Sequence, residues 1–202
     1  MRLLAPYIAM GFHSHRSKGI VMAKRKKTTA RTGRKTATRG RQDAIALLKA
    51  DHREVEGWFK QFEKATASSR KQDLATRICK ALRVHTQIEE EIFYPAFLEA
   101  SGEKDLHHEA EVEHDGAKKL IAQIEKSGPS DDYFDAKVKV LSEMIKHHVK
   151  EEEQPGGMFA EARKSGMDLA EIGAQLKARK DELSGSARSG GKAGALEYSV
   201  GL

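Results

Sequence analysis

The sequence has few cysteines and no long apolar run, and each shortage excludes a class of protein. Its 202 residues include one cysteine, Cys79, so no internal disulfide can form and a reducing compartment is expected. No segment approaches the ~20 consecutive apolar residues that a membrane-spanning helix requires, and no membrane partner is expected. The first residues form a short apolar patch, interrupted by Pro6 and without a cleavage site. We therefore expect no secretory signal and a cytoplasmic location.

Acidic residues are absent from the first 41 positions, which carry 12 Lys or Arg. Residues 42–202 hold 24 basic and 30 acidic side chains, a net charge of −6, so the overall charge of +6 comes from the leader. Residues 1–41 are predicted to be a disordered basic leader, and residues 23–41 have no apolar periodicity. This segment can attract nucleic acid nonspecifically; a leader that only aids solubility is an equal alternative, since no aromatic residue interleaves the charges. Met22, directly before the basic run, is a second candidate start of translation.

Four segments of the remaining chain repeat apolar residues at steps of three and four, the spacing of one helix face. Each segment also places one histidine on that face, and in two of them a glutamate follows four residues later. The stripes are Ile45, Leu48, His52, Val55, Phe59, Phe62; Ile78, Leu82, His85, Glu89, Ile92, Ala96; Ala110, His114, Ala117, Ile121, Ile124; and Phe134, Val138, Leu141, Ile145, His148, Glu152. The pattern predicts four amphipathic helices.

Capping and breaking residues set the predicted helix boundaries. Asp43 caps a first helix that reaches about Ala65, and Pro95 is expected to kink or end the second helix. The other predicted starts are Ser68 or Ser69, Asp105, and Ser130 or Asp131; the predicted stops are Ser127-Gly128-Pro129 and Pro155-Gly156-Gly157. A short turn over Met158–Lys164 and a fifth helix from Asp168 to about Leu183 follow.

Short links between long helices favour an all-α, antiparallel, up-down-up-down four-helix bundle. The predicted organisation is a leader over residues 1–41, a bundle over 42–165, a short C-terminal helix over 166–183 and a disordered tail over 184–202. The six polar residues of the stripes then point into the core: His52, His85, Glu89, His114, His148 and Glu152.

Burying six titratable groups without partners is costly, and a bound cation removes that cost. A mixed imidazole and carboxylate shell suits iron, with zinc, manganese or copper as alternatives, and paired cysteines for a thiolate site are lacking. Carboxylates from different helices, such as Glu89 and Glu152, can bridge two cations ~3.5–4 Å apart. The neighbouring His147 belongs to a shorter, less apolar stripe, so His148 is the preferred ligand.

Four motifs carry a family resemblance over residues 42–165. They are Leu-Lys-Ala-Asp-His52, His85-Thr-Gln-Ile-Glu89-Glu-Glu-Ile-Phe-Tyr-Pro95, Glu111-Val-Glu-His114 and His148-Val-Lys-Glu-Glu152-Glu. Together they closely resemble the hemerythrin-like family, also called the HHE cation-binding domain. The resemblance implies a centre of two non-haem irons in the bundle core. It also implies four terminal histidines (His52, His85, His114 and His148) and bridging or terminal carboxylates from Glu89 and Glu152.

One position departs from the oxygen-carrying members of that family, which have two histidines four residues apart in the third helix. Here Ala110 stands four residues before His114, so we do not expect oxygen transport. Glu111, Glu90 or solvent could take the free position. His107, two turns or roughly 10 Å from His114 along the axis, is too distant to join the centre. His107 and His108 are predicted to be surface residues.

These features lead to a hypothesis of function: a metal-binding sensor or handler of oxygen, nitric oxide, peroxide or iron. Such a protein is expected to have at most a weak redox activity dependent on peroxide or oxygen, and no catalytic residue is assigned. One alternative is a ferritin-like di-iron oxidase, which needs Glu-x-x-His on two helices, whereas Glu111-x-x-His114 is the single match here. Another is a nucleic-acid-associated stress protein that acts through its basic tail.

Overall fold

The computed structural model describes residues 43–189, which are mostly helical and contain no β-strand. Seven α-helices follow one another within this range, and a π-helical turn joins the second to the third. The elements are α1 (Ala44–Lys64), α2 (Ser68–Ile88), the π-turn (Glu89–Phe93), α3 (Tyr94–Ser101), α4 (Lys104–Lys126), α5 (Phe134–Glu153), α6 (Met158–Lys164) and α7 (Leu169–Ser189). The predicted leader and most of the predicted tail lie outside the described residues.

The long helices α1, α2, α4 and α5 form a closed cycle of neighbours. Helix α1 packs on α2, α2 on α4, α4 on α5, and α5 on α1. Because short connections link helices that are adjacent in this cycle, the arrangement is the predicted up-down-up-down bundle. None of the described helices has the length and apolar character that crossing a bilayer needs.

Helix starts follow local capping chemistry at some positions and not at others. Asp43 caps α1 as predicted, accepting a hydrogen bond from the Ala46 amide at 2.7 Å. Helix α4 begins at Lys104, so Asp105 lies inside its first turn instead of capping it. Helix α5 begins at Phe134 and not next to Asp131, because Asp131 accepts hydrogen bonds within a preceding turn, from the amides of Tyr133 and Phe134. The predicted caps were wrong for these two helices.

Pro95 does not end the second helical segment, which continues through the π-turn and α3 to Ser101. Proline has no amide hydrogen and crowds the carbonyl four residues earlier. In the π-turn the Tyr94 amide donates to the carbonyl of Glu89, five residues back. One extra residue therefore enters the helix directly before Pro95, and the core-facing register changes there.

That change moves the buried face by one residue. The predicted stripe continued through Ile92 and Ala96, but the residues in the core are Phe93, Tyr94 and Phe97, each at most 1% exposed. Ile92 and Ala96 are only partly buried. The predicted register was therefore wrong after Glu89, because steps of three and four assume an uninterrupted α-helix.

Two apolar clusters occupy opposite ends of the bundle core. The distal cluster fills the end made by the second halves of α1 and α4 and the first halves of α2 and α5; it includes Phe62, Leu74, Ile78, Ile121, Phe134 and Leu141. The proximal cluster lies near the start of α1 and the π-turn; it includes Ile45, Leu48, Phe93, Phe97, Phe159 and Leu176. The predicted polar residues lie between these clusters.

The last helix is longer than expected. Asp168 caps α7 by accepting a hydrogen bond from the Glu171 amide at 3.0 Å, as the capping pattern predicted. The helix continues to Ser189 and matches α1 in length, 21 residues. It packs on α1, α2 and the π-turn, with Leu176 fully buried. The prediction of a short helix ending near Leu183, with disorder from residue 184, was wrong for residues 184–189.

Candidate metal centre

All six residues predicted to bind metal are buried in one polar layer of the bundle. Their exposed fractions range from 0% for Glu89 to 6% for His85. Each long helix contributes one histidine, the first residue of the π-turn contributes Glu89, and the end of α5 contributes Glu152. The structure therefore brings together side chains that lie up to a hundred residues apart in the sequence.

The four histidines form two pairs whose Nε2 atoms face each other. The Nε2 atoms of His52 and His85 are 3.0 Å apart. Those of His114 and His148 are 3.2 Å apart. Two nitrogens this close can both bind one cation when each ring carries its proton on Nδ1.

Both carboxylates contact both histidine pairs. Oε2 of Glu89 lies 3.2 Å from His85 Nε2 and 3.4 Å from His114 Nε2. Glu152 uses separate oxygens, with Oε2 at 3.4 Å from His52 Nε2 and Oε1 at 3.7 Å from His148 Nε2. Each pair therefore has an oxygen donor from each glutamate, the arrangement that two cations sharing carboxylates require.

Tyr94 is a member of this layer that the sequence pattern did not predict. Its hydroxyl lies 3.2 Å from His114 Nε2 and donates to Oε1 of Glu152 at 3.3 Å. The π-turn places it there by shifting the register that follows Glu89. Burial raises the pKa of the Tyr94 hydroxyl well above its usual range, and the carboxylate of Glu89 raises it further.

Neither acid suggested from sequence for the position opened by Ala110 faces the Nε2 atoms of the layer, whereas the Tyr94 hydroxyl lies next to one of them. Ala110 is 4% exposed and belongs to the proximal cluster. Glu111 is 53% exposed and contacts His107 at 3.7 Å, away from the centre. Glu90 lies behind His114, at 2.9 Å from its Nδ1 atom.

Burial disfavours charge on most groups of this layer; at His148 it is outweighed by the carboxylates of Glu152 and Glu113, which raise the pKa of that imidazole. Burial raises the pKa of Glu89 well above the usual range, and the neighbouring carboxylate of Glu152 raises it further. Burial likewise raises the pKa of Glu152. Burial lowers the pKa of His114 to about 4, and it also lowers that of His52, which faces His85. Without a cation, the layer holds its carboxylates and imidazoles in an unfavourable environment.

The unpartnered atoms of the layer fit a cation. Both oxygens of Glu89 and Oε2 of Glu152 are buried and accept no hydrogen bond from the residues that the structure describes. Two groups of three possible ligands have donor atoms within 4.8 Å of one another: His52, His85, Glu89 and Glu89, His114, His148. Imidazole nitrogens with carboxylate oxygens suit a divalent transition metal.

Comparison with known proteins decides the family. The family model of the hemerythrin HHE cation-binding domain matches residues 43–155, more than half of the chain. The chain belongs to the hemerythrin HHE family. Membership implies that this HHE domain binds metal, and the two ligand groups in its core are where the donor atoms meet.

Two similar proteins are informative to different degrees. A crystal structure of an HHE cation-binding domain-containing protein from Mycobacterium kansasii matches with a TM-score of 0.61 at 23% identity, covering 73% of this chain and 91% of that one. At that identity the match shows a shared fold. A DNA nickase from Nostoc sp. is 29% identical over 149 residues, which are 73% of this chain and 41% of the nickase. The HHE chain thus spans less than half of that relative.

Four acids surround the centre of this HHE domain, and we call them the outer acids: Asp51, Glu90, Glu113 and Glu153. Each faces the Nδ1 atom of a histidine on the next element of the bundle. The distances are 2.9 Å for Glu153 to His52, 3.6 Å for Asp51 to His85, 2.9 Å for Glu90 to His114 and 2.7 Å for Glu113 to His148. An acceptor at Nδ1 fixes the tautomer that leaves Nε2 free for metal and orients the ring.

The outer acids were missed from sequence, although a signal was present. Each is adjacent in sequence to one of the six core residues, as in Asp51-His52 and Glu152-Glu153. On a helix, neighbouring residues differ by about 100° in direction, so a residue beside an inward ligand points along the bundle wall toward the next helix. That geometry lets one acid support a histidine from another helix.

The remaining histidines occupy different environments. His147 is 60% exposed and contacts Glu113 at 3.2 Å, whereas the predicted ligand His148 is buried. His107 was predicted to be a surface residue, and this was wrong: its side chain is 12% exposed. It packs on the ring of Tyr94 with centroids 5.9 Å apart, because the π-turn brings Tyr94 beside α4. His108 is exposed, as expected.

Proposed function

We propose that the polar layer of this HHE domain holds two iron ions and uses them to react with peroxide or oxygen. The observation that carries the proposal is the pair of histidine couples joined by two shared carboxylates. His52 and His85 serve one ion, His114 and His148 the other, and Glu89 and Glu152 contact both couples. Two ferrous ions supply two electrons, enough to reduce one peroxide to two waters with the uptake of two protons.

Tyr94 supports irreversible chemistry over reversible oxygen binding. Where oxygen-carrying relatives have a histidine in the third helix, this chain has Ala110, and the Tyr94 hydroxyl lies 3.2 Å from His114 Nε2 instead. A hard oxygen donor favours a more highly charged ion than an imidazole does. In the absence of metal the same hydroxyl donates to Glu152, so binding a ferric ion as phenolate would release that proton.

A small apolar cavity supports a small reactant. Val55, Leu82 and Ile145 line it together with all four core histidines. Its volume of about 10 Å³ is at the lower limit for one water molecule, so only the smallest molecules can enter it without movement of its lining. Ile145 and His52 also line a groove of about 300 Å³ between α1 and α5, which gives a route from solvent.

The proposal is tested by loading the purified chain anaerobically with ferrous iron. We expect about two irons per chain, rapid oxidation in air that deoxygenation does not reverse, and reduction of about one added peroxide per chain with both irons left ferric. Tyr94→Phe should keep the iron and lose any visible absorption band that arises from a phenolate bound to ferric iron. Ala110→His should shift the protein toward reversible oxygen binding, since residue 110 is buried in the same proximal cluster as Tyr94.

Two results would contradict the proposal. Failure to retain iron after anaerobic loading would reject the two-iron centre. A stable oxygenated spectrum that disappears and returns over several cycles of deoxygenation would restore the carrier hypothesis. The ferritin-like alternative is disfavoured, because Glu111 of its single Glu-x-x-His match is 53% exposed and contacts His107.

DNA is the second candidate partner, favoured by the similarity to a DNA nickase and by the basic leader. The leader can hold the phosphate backbone by charge. Binding to duplex DNA should weaken steeply with salt and disappear when residues 1–41 are removed. Salt-insensitive binding, or none, would reject this candidate.

A further inference from the structure

The four outer acids are not equivalent. Three of them lie 2.7–2.9 Å from the Nδ1 atoms of their histidines, within hydrogen-bond distance. Asp51 lies 3.6 Å from His85 Nδ1, and among the described residues neither that nitrogen nor Oδ2 of Asp51 has a hydrogen-bond partner. His85 is therefore the core histidine whose Nδ1 atom is held least firmly by its outer acid.

The basic side chains that pair with the outer acids also come from different parts of the chain. Glu153 contacts Lys49 and Arg53 on α1, and Glu90 contacts Lys118 on α4, all within the matched HHE segment. Asp51 is held by Lys180 on α7, beyond that segment. Lys180 binds Oδ1 of Asp51, which leaves Oδ2 facing His85.

Asp51 has room to leave this position if Lys180 is lost. A cavity of about 230 Å³ between α1, α2 and α7 is lined by Asp51, Lys180, Glu54, Arg77 and Trp58. The Asp51 side chain is 11% exposed and that of Lys180 32%, so the ion pair forms part of the cavity wall. Without the Lys180 ammonium group, the Asp51 carboxylate can rotate into the cavity toward Arg77 and away from His85.

We propose that Lys180 is a positioning residue: by anchoring Asp51 behind His85, helix α7 controls how long the metal ion at His52 and His85 is retained. The inference rests on the proposed two-iron centre. It makes the ion at His52 and His85 dependent on Lys180 and leaves the ion at His114 and His148 independent of Lys180. Loss of an acid behind a metal-binding histidine typically weakens metal binding 10- to 100-fold.

The test follows iron release from the full chain, loaded anaerobically with ferrous iron, to an excess of a coloured ferrous chelator. Lys180→Met keeps the apolar stem and removes the charge. We expect about half of the iron to leave roughly tenfold faster than in the unaltered protein, and the other half at the unaltered rate. Lys177→Met is the matched control, because Lys177 is 65% exposed and pairs with Asp181 on the same helix.

A double-mutant cycle with Asp51→Asn separates positioning from general loosening of α7. If Lys180 acts through Asp51, Asp51→Asn should speed the release of the same half of the iron, and adding Lys180→Met should speed it no further. Asp51→Asn also gives a test if Lys180→Met does not fold. Thermal unfolding followed by circular dichroism shows whether each variant is folded.

Several outcomes overturn the inference. They are release from Asp51→Asn at the unaltered rate, equal acceleration of all the iron by Lys180→Met, additive effects in the double variant, and acceleration by Lys177→Met. An unaltered protein that binds fewer than two irons would instead reject the proposed function on which the inference rests.

Discussion

The distal cluster and the polar layer lie in the same bundle but are stabilised in different ways. The distal cluster contains side chains such as Phe62, Ile78 and Leu141, which gain stability simply by leaving water. The polar layer buries Glu89 at 0% exposure with both oxygens unpartnered. The comparison shows that one end of the core gains stability from burial alone, while the layer beside it buries polar atoms that a cation would satisfy.

The largest effect is expected from breaking the distal cluster. Phe62→Ala removes a ring that is 5% exposed and packs on Phe134 with centroids 6.0 Å apart. We expect a loss of about 3–5 kcal/mol in the free energy of unfolding, by the same amount with and without metal. Denaturant titrations of both forms measure this. A cost that vanishes in the metal-loaded form would show that the two regions are not independent.

The next largest effect is expected from His148→Ala, and it distinguishes His148 from His147 as the metal ligand on α5. His148→Ala should reduce the iron content and remove part of the stabilisation that iron confers, about 2.7 kcal/mol for a site saturated at a hundred times its dissociation constant. His147→Ala should do little to either quantity, since His147 is 60% exposed. Metal analysis and melting curves of both variants provide the measurement. The reverse ranking would mean that the ligand on α5 has been assigned to the wrong residue.

Glu89→Gln should stabilise the metal-free protein and lower the iron content of the metal-loaded protein. Without metal, the substitution removes a carboxylate that burial destabilises, and we expect the free energy of unfolding to rise by about 1–3 kcal/mol. With metal, the variant loses a carboxylate that faces both ions, so iron content should fall. Denaturation of the apoprotein and elemental analysis after loading measure the two effects. A destabilised apoprotein would show that Glu89 is satisfied without a cation.

The smallest effect is expected in the acid response of the apoprotein. His114 has a pKa of about 4 in the fold against 6.5 in a free chain, so the unfolded state takes up its proton first. This contribution lowers stability as pH falls from 6.5 to 4. The raised pKa values of Glu89 and Glu152 act oppositely, because the folded state takes up their protons first and gains stability as pH falls.

These opposing contributions offset one another in part. Glu89→Gln removes one of them, so its stability should fall more steeply with acid than that of the unaltered protein. Urea titrations at several pH values between 7 and 4 test this. Equal slopes for the two proteins would show that Glu89 keeps an ordinary pKa in the fold.

Local pattern predicted much of this molecule. The four helices and the inward direction of His52, His85, His114 and His148 follow from apolar spacing, because side-chain direction on a helix depends only on position along it. The N-cap at Asp43 was also predictable, because capping depends on the residues of the first helical turn alone. The prediction was wrong where a second interaction competed: Asp131 closes a turn before α5, and the π-turn shifts the buried face from Ile92 to Phe93.

The sequence by itself determined the helices, the bundle and the six inward polar groups, since hydrophobic periodicity and helix geometry are properties of each segment alone. Only the tertiary structure decided how these groups combine. The Tyr94 hydroxyl reaches His114 and Glu152 because one extra residue enters the helix before Pro95. Asp51 faces His85 from a different helix, and Lys180 reaches Asp51 from α7. Contacts between helices depend on relative rotation and distance, which are fixed by packing of the whole core.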